Sequence, residues 1–438
     1  MNGHARPLAP LDASLLKITR AQLLKTVPLP GSYGFGDIKT DHMLVIEYDP
    51  EHGWAAPEIK PYGPLALDPA SNCLQYCTNV FEGMKAFMGP DGKARMFRPD
   101  RNMARLASSA ERMGLPSFDE DAVLKCITAL VTLEKRWIPT EPGHNLYIRP
   151  TMIGTKASIR VGKSDAAILY TLVTPVGPYF PVSPQIPHPT LAGVSLLAIS
   201  EHVRSWPGGT GAYKLGLNYS PGFVPQTIAA KAGYDQVLWC LDASAGGDAG
   251  EGGALVTEAG AMNFFAVVAD EDKDGGGITV RTPPLDGTIL PGITRDSVLE
   301  LLRAHAHASQ SEESAPSPFG AASGIPTGKL TISERPLALS ELAAHARAGR
   351  LLECFGVGTA VLVVAIERIG YYPASAASTP GVEPVHAEAG TPIPKKIAEI
   401  EMKGGLRGLG PVGKALYEKL SALKEGREEW RDWTLVCD

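Results

Sequence analysis

Two periodicities share the chain. Apolar positions alternate with polar ones, or run unbroken, through "HMLVIEY", "KARMFRP", "NLYIRPTMIG" and "AAILYTLVTPV", as strands with one or both faces buried do. Between them, apolar positions recur every three or four residues in "NMARLASSAERMG" and "DEDAVLKCITALVTLEKRW", which predicts helices. The second half repeats the mixture with strands "TLAGVSLLAIS", "DQVLWCLD" and "NFFAVVADE", the helix "TRDSVLELLRAHAHA", then the apolar "CFGVGTAVLVVAIERIGYY". A mixed α/β fold follows. The stretch "PVGPYFPVSPQIPHP" at 175 to 189 holds six prolines, which fix φ and remove amide donors, so it reads as an ordered irregular connector. The expected organisation is a small N-terminal α/β domain over 1–178, a connector at 179–190 and a larger α/β domain over 191–438. Three patches, "SAGGDAGEGGA", "SQSEESAPSPFGAASG" and "PASAASTPGVEPVHAEAGTP", read as surface loops. There is no internal repeat.

Composition narrows the classes. The 438 residues carry 47 acidic against 41 basic side chains, scattered, with no basic run able to neutralise a phosphate backbone, which argues against nucleic acid as a partner. The longest apolar run, "AVLVVAI" at 360 to 366, falls far short of the roughly 20 residues of a membrane span, so no membrane partner is expected. Cys73, Cys77, Cys126, Cys240, Cys354 and Cys437 form no CxxC and read as reduced thiols. The N-terminus lacks the apolar core of a secretory signal, while Arg6, Lys17, Arg20 and Lys25 against Asp12 keep a transit peptide open; the cytoplasm is the expected location, with mitochondria as the alternative.

Several motifs fail on inspection. "SGIPTGKL" has Ser323 where a phosphate loop needs its first glycine and Leu330 where it needs a hydroxyl, so Gly328 and Lys329 read as a turn. "FGVGTAV" lacks the third glycine of a dinucleotide fingerprint. His305 and His307, two apart on a helix, point to different faces, and no metal site is expected.

"GTGAYKLGLNYS" at 209 to 220 is more informative, because it places Lys214 among small, apolar and hydroxyl-bearing residues. A lysine drawn into such surroundings loses hydration, which favours the nucleophilic amine over the ammonium. Glu258 stands in the otherwise uncharged "VTEAGAMNFFAVV" and needs a partner to offset its desolvation. Pro291 and Gly292 lead into a helix whose first turn holds Ile293 and Thr294, an anion-binding arrangement of amides and hydroxyl. "GVGTA" adds Thr359, and Tyr219 shares a site with Lys214 only if Gly216 to Asn218 bends. Each feature alone has an ordinary reading: a surface lysine, a salt-bridged glutamate, a helix cap, a core tyrosine. Together they are the parts of a pyridoxal 5'-phosphate (PLP) enzyme.

The chain also resembles a known family. "VFEGMKAF", "FRPDRNMARL", "LYIRPTMIGT", "PVGPYF", "WPGGTGAYKLGLNY", "VTEAGAMNFF" and "TPPLDGTILPGITRDS" are similar, in order, to motifs of the eukaryotic-type branched-chain amino acid aminotransferases, fold-type IV, class-IV PLP enzymes. The resemblance implies two domains with the active site between them, a homodimer, Lys214 as Schiff-base lysine, Glu258 at the pyridine nitrogen and Tyr219 at the phenolic oxygen. It puts phosphate contacts on Arg105, Ile293, Thr294 and Thr359, the substrate pocket on Phe35, Tyr76, Tyr147, Arg149 and Tyr179, and carboxylate-binding amides at Ala261 and Ala360. The implied reaction is ping-pong transfer of the amino group of leucine, isoleucine or valine to 2-oxoglutarate, in amino-acid biosynthesis. Ala261 and Val357 replace a threonine and a serine of the family pattern, and Leu217 replaces a glycine or alanine. Val361 and Val364 stand where some mammalian members have a redox CxxC. The alternatives are a class-IV enzyme of specialised metabolism, a D-amino acid or amine transaminase or a lyase acting on aminodeoxychorismate, and a catalytically silent binding protein.

Overall fold

The strand periods resolve into two sheets in this computed structural model, which describes residues 8–29, 31–180, 193–241, 254–271, 276–308, 316–320, 323–326, 329–372, 397–402 and 408–437. Most of the proline-rich connector, nearly all of the first and third loop patches, about half of the second and Gly328 lie outside the described residues. Two compact units result, Met1–Phe180 with Tyr213–Leu217 and Leu420–Asp438, and Pro181–Ala212 with Asn218–Lys419.

In the first unit, β1 (Lys17–Ile18), β2 (His42–Asp49), β3 (Gly53–Trp54), β4 (Glu58–Pro61), β5 (Asn79–Phe81), β6 (Met84–Met88), β7 (Ala94–Phe97), β8 (Asn145–Gly154) and β9 (Ala167–Val176) form one sheet with the C-terminal strand Thr434–Cys437. The order is β1-β4-β2-β9-β8-β6-β7, ending on that C-terminal strand, with β3 on β2 and β5 on β8. The long pair β8 and β9 is antiparallel from Asn145 opposite Val176 to Gly154 opposite Ala167. After the short α1 (Asn72–Tyr76), the helices α2 (Pro99–Arg112) and α3 (Glu120–Leu133) cover one face. Their stripes, Met103, Leu106 and Ala110 on α2 and Val123, Ile127, Leu130 and Val131 on α3, are buried with Leu44, Met84, Met96 and Ile148 in one core. The three- and four-residue spacing puts each stripe on one face.

One core position is costly. Lys424 is buried with its Nζ 5.0 Å from the Phe97 ring centre. Burial, and after it the charge of Lys85, pushes its ammonium down to about 7. The unfolded chain holds that proton to about 10.4, so from pH 7 to 10 unfolding takes up a proton and stability rises with pH. Lys424→Met should therefore stabilise the protein by on the order of 3 kcal/mol at pH 7 and by much less at pH 10. Thermal melts at the two pH values check this, and an equal gain at both would refute it.

The second unit holds β10 (Val194–Ile199), β11 (Gln236–Leu241), β12 (Leu255–Ala259), β13 (Met262–Ala269), β14 (Ile278–Arg281), β15 (Leu330–Ser333), β16 (Leu351–Gly358), β17 (Leu362–Tyr371) and β18 (Ala398–Glu401), ordered β12-β11-β10-β17-β16-β13-β14-β15 with β18 on β17. Because β12 pairs with β13 as well as β11, the six strands from β12 round to β13 close into a barrel. Closure leaves those strands without an edge. The α-helices among its described residues are α4 (Phe223–Lys231), α5 (Ile293–Ala308), α6 (Leu339–Arg347) and α7 (Pro411–Lys424), the last continuing into the residues assigned to the first unit. The sequence reading placed no element beyond Tyr372, although Val412, Ala415, Leu416, Leu420 and Leu423 recur at helical spacing in α7 and are buried.

Candidate active site

In the first unit, Lys214 sits on a loop that β5 holds by its backbone. Val80 and Leu215 form an antiparallel bridge, the Phe81 amide donates to the Lys214 carbonyl at 3.1 Å, and the Lys214 amide donates to Ser109 Oγ at 3.0 Å. Leu215 is fully buried, and Gly216 lies so close to Asn79 that a Cβ would stand 2.6 Å from Oδ1. Leu217 packs on the first unit's core, which absorbs the side chain that the family pattern lacks. The half-buried Lys214 puts Nζ 4.8 Å from the Phe81 ring centre. The apolar surroundings expected from the sequence are therefore incomplete: Glu82, next to Phe81, is a buried anion that feels the Lys214 charge.

Arg105, on α2, meets Glu82 with Nε at 2.7 Å and Nη2 at 2.9 Å. Phe35, Tyr147 and Tyr179 form an edge-to-face chain with centroids 4.9 and 5.2 Å apart, and Arg149 Nη2 donates to the Tyr147 hydroxyl at 3.2 Å. Gly83 is required beneath Tyr147, whose hydroxyl lies 2.0 Å from where a Cβ would stand. Four of the five predicted pocket residues thus cluster. Tyr76, exposed as Phe35 and Tyr179 are, instead donates to the Ile159 carbonyl.

In the second unit, Glu258 is buried on β12. Its Oε1 accepts from the Leu290 amide at 3.2 Å and from Asn263 Nδ2 at 3.3 Å, while Oε2 lies 2.7 Å from Arg204 Nη1. Asn263 also donates to the Leu290 carbonyl at 2.9 Å, and its Oδ1 would lie 2.0 Å from a Cβ at residue 292, so only glycine fits there. Gly292 accepts the first amide bond of α5, from Asp296, and the next two residues are Ile293 and Thr294, both buried. The helix start expected from the sequence is present.

Ala261 occupies the two-residue turn between β12 and β13, where Gly260 takes φ +57°. Thr359 and Ala360 lie in the turn between β16 and β17, and Asn263 pairs with Val357. The two turns meet at one end of the barrel: a Cβ at Gly358 would lie 3.7 Å from the Ala261 carbonyl. Tyr219 follows a 3-10 turn over Gly216–Asn218, so the bend it needed exists. Thr210 and Asn218, which flank Lys214 in sequence, bond each other, with Asn218 Nδ2 donating to the Thr210 carbonyl at 2.9 Å. Sequence reasoning missed Glu82, Ser109, Arg204 and Asn263. For Glu82 and Arg204 the available signal was a charge beside an apolar or glycine-rich run.

The family described as "Amino-transferase class IV" matches residues 79–318. The chain is 42% identical over 362 residues to the mitochondrial branched-chain-amino-acid aminotransferase of Schizosaccharomyces pombe, covering 83% of this chain and 76% of that one. It belongs to the branched-chain-amino-acid aminotransferases. The cytosolic enzyme of that name from Saccharomyces cerevisiae is also 42% identical, over 83% of this chain and 87% of its own. The branched-chain amino acid aminotransferase of Thermobaculum terrenum, solved in its PLP form, shares the fold at a TM-score of 0.59 and 18% identity, covering 91% of this chain and 99% of that one. Among the described residues no helix is long and apolar enough to cross a membrane, and no group of three or more His, Cys, Asp or Glu side chains is placed to hold a metal.

Proposed function

We propose that the chain binds PLP and moves the amino group of leucine, isoleucine or valine to 2-oxoglutarate in two half-reactions, releasing a 2-oxo acid and then glutamate. The observation that carries this reading is the seat of Lys214, tied through its backbone to β5 and α2 and set beside the Glu82–Arg105 pair. The residues suit the cofactor chemically. Lys214 would hold it covalently, Arg105, Ile293, Thr294 and Thr359 would meet its phosphate, Glu258 its ring nitrogen and Tyr219 its phenolic oxygen. The cradle that Asn263 forms at Gly292, too tight for a Cβ, supports backbone approach at the start of α5.

When bound, PLP supplies an aldehyde and a ring that accepts the electron pair left on the substrate's α-carbon. Lys214 Nζ would take the proton that leaves that carbon. Glu258, with Arg204 Nη1 2.7 Å from Oε2 and two donors on Oε1, would keep the ring nitrogen protonated. The aromatic chain of Phe35, Tyr147 and Tyr179 would enclose an apolar side chain, with Arg149 at its edge. Ala261 and Ala360 would offer backbone amides to the substrate carboxylate, and Ala261 and Val357, without hydroxyls, favour apolar substrates. The homodimer reading draws on the exposed apolar side chains Leu74, Tyr76, Ile159 and Val161, of which the Tyr76–Ile159 bond brings two together. Relatives named cytosolic and mitochondrial both occur, and we infer a cytoplasmic role.

Assay of 2-oxo acid formation over a panel of amino acids tests the substrate. Leucine, isoleucine and valine should lead, with differences among aliphatic donors of about ten- to a hundred-fold, the worth of a pocket methylene. Faster turnover of aspartate, alanine or D-amino acids than of leucine overturns the assignment.

A further inference from the structure

Glu82 has no role in the scheme above, yet it is completely buried, in the turn between β5 and β6. Four donors converge on its carboxylate: Arg105 Nε at 2.7 Å, Arg105 Nη2 at 2.9 Å, Asn102 Nδ2 at 2.7 Å and the Gly83 amide at 3.1 Å. Asn102, Arg105 and Ser109 follow one another at spacings of three and four along α2, so they share a polar stripe beside the apolar one. Ser109 in turn holds the Lys214 amide. Burial by itself would raise the Glu82 carboxyl, but Arg105, then Lys214 and Asn102, outweigh it and hold the group below the usual carboxylate range.

Such a buried cluster is a poor way to gain stability, since well-packed apolar side chains of the same volume do as well or better. What it does supply is direction. A carboxylate that grips a guanidinium by two nitrogens fixes the plane of that group. It also places a negative charge beside an amine. Among the described residues, Arg149 on β8 also approaches Phe81, its guanidinium 4.8 Å from the ring centre.

We propose, on the reading of Arg105 and Lys214 given above, that Glu82 is a positioning residue: it sets the guanidinium plane of Arg105 for the cofactor's phosphate and provides the counter-charge beside the Lys214 amine. The two functions separate by substitution. Glu82→Gln removes the charge and turns one acceptor into a donor that faces other donors. Glu82→Asp keeps the charge but draws it back by one methylene, so it cannot hold both guanidinium nitrogens.

The experiment measures dissociation constants for PLP and for pyridoxal, which lacks the phosphate, together with the pH titration of the visible absorbance of the PLP-loaded protein. Both variants should bind PLP at least tenfold more weakly while pyridoxal binding changes little. Glu82→Gln should also lower the apparent pKa of the absorbance by about one unit, the effect of removing an opposite charge within about 6 Å, whereas Glu82→Asp should leave it nearly unmoved. A merely structural role would weaken both ligands alike and leave the pKa where it was. Should Glu82→Gln fail to fold, the PLP-to-pyridoxal ratio in Glu82→Asp decides alone, and an unchanged ratio overturns the proposal. If borohydride reduction of the wild-type holoenzyme leaves no pyridoxyl group on Lys214, the underlying reading fails instead.

Discussion

Glu258→Gln should lower turnover by about 10²- to 10³-fold while PLP remains bound, the scale for losing one preorganised electrostatic contact in an active site. A neutral amide cannot hold the ring nitrogen protonated, so the ring would take up the electron pair of the α-carbon poorly. The same substitution also breaks a buried ion pair. Arg204, barely exposed in that pair, would be left as a buried cation, at a cost of about 3 kcal/mol or more. A fall in activity could therefore be mistaken for a loss of folded protein. The double variant Glu258→Gln with Arg204→Met separates the two: removing the stranded cation should restore most of the melting temperature and none of the turnover. Near-normal turnover in the folded single variant would take Glu258 out of the mechanism, and recovery of activity in the double variant would make its role structural.

Where function was readable in the sequence, the signal was local. Pro291 and Gly292 before an amphipathic run predict a helix start, and α5 begins at Ile293 because nothing distant has to be known for it to do so. β8, predicted over "NLYIRPTMIG", has those ten residues as its limits, nine of them buried and Arg149 half-buried. The partners of buried charges were not readable. Glu82 is 23 residues from Arg105, and Glu258 is further still from Arg204, so only the closed barrel and the packing of α2 on its sheet bring them together. The barrel itself depends on β12 pairing with β11 and with β13, and no periodicity within β12 announces a second neighbour. For the same reason the Lys214 run looked uncharged: the anion beside it arrives through β5, more than a hundred residues earlier.

Lys214→Ala should abolish covalent attachment of PLP and reduce turnover by about 10⁴-fold, the upper range for losing a positioned acid–base group. The fold should tolerate the change. What anchors the loop is backbone, the Phe81 amide to the 214 carbonyl and the 214 amide to Ser109 Oγ, together with the buried Leu215, and none of these involves the lysine side chain. A half-buried lysine truncated to alanine beyond such contacts shifts stability by about 1 kcal/mol or less. The melting temperature should thus stay within a few degrees of wild type while activity disappears, a combination that a structural lysine could not produce. Small primary amines added to the variant should recover part of the rate, because the missing function is an amine at a place the loop still defines. Borohydride reduction and peptide mapping should find the pyridoxyl group on Lys214 in the wild type and on no lysine in the variant. Label on another lysine, or turnover above a tenth of wild type in the folded variant, would move the catalytic amine elsewhere in the chain.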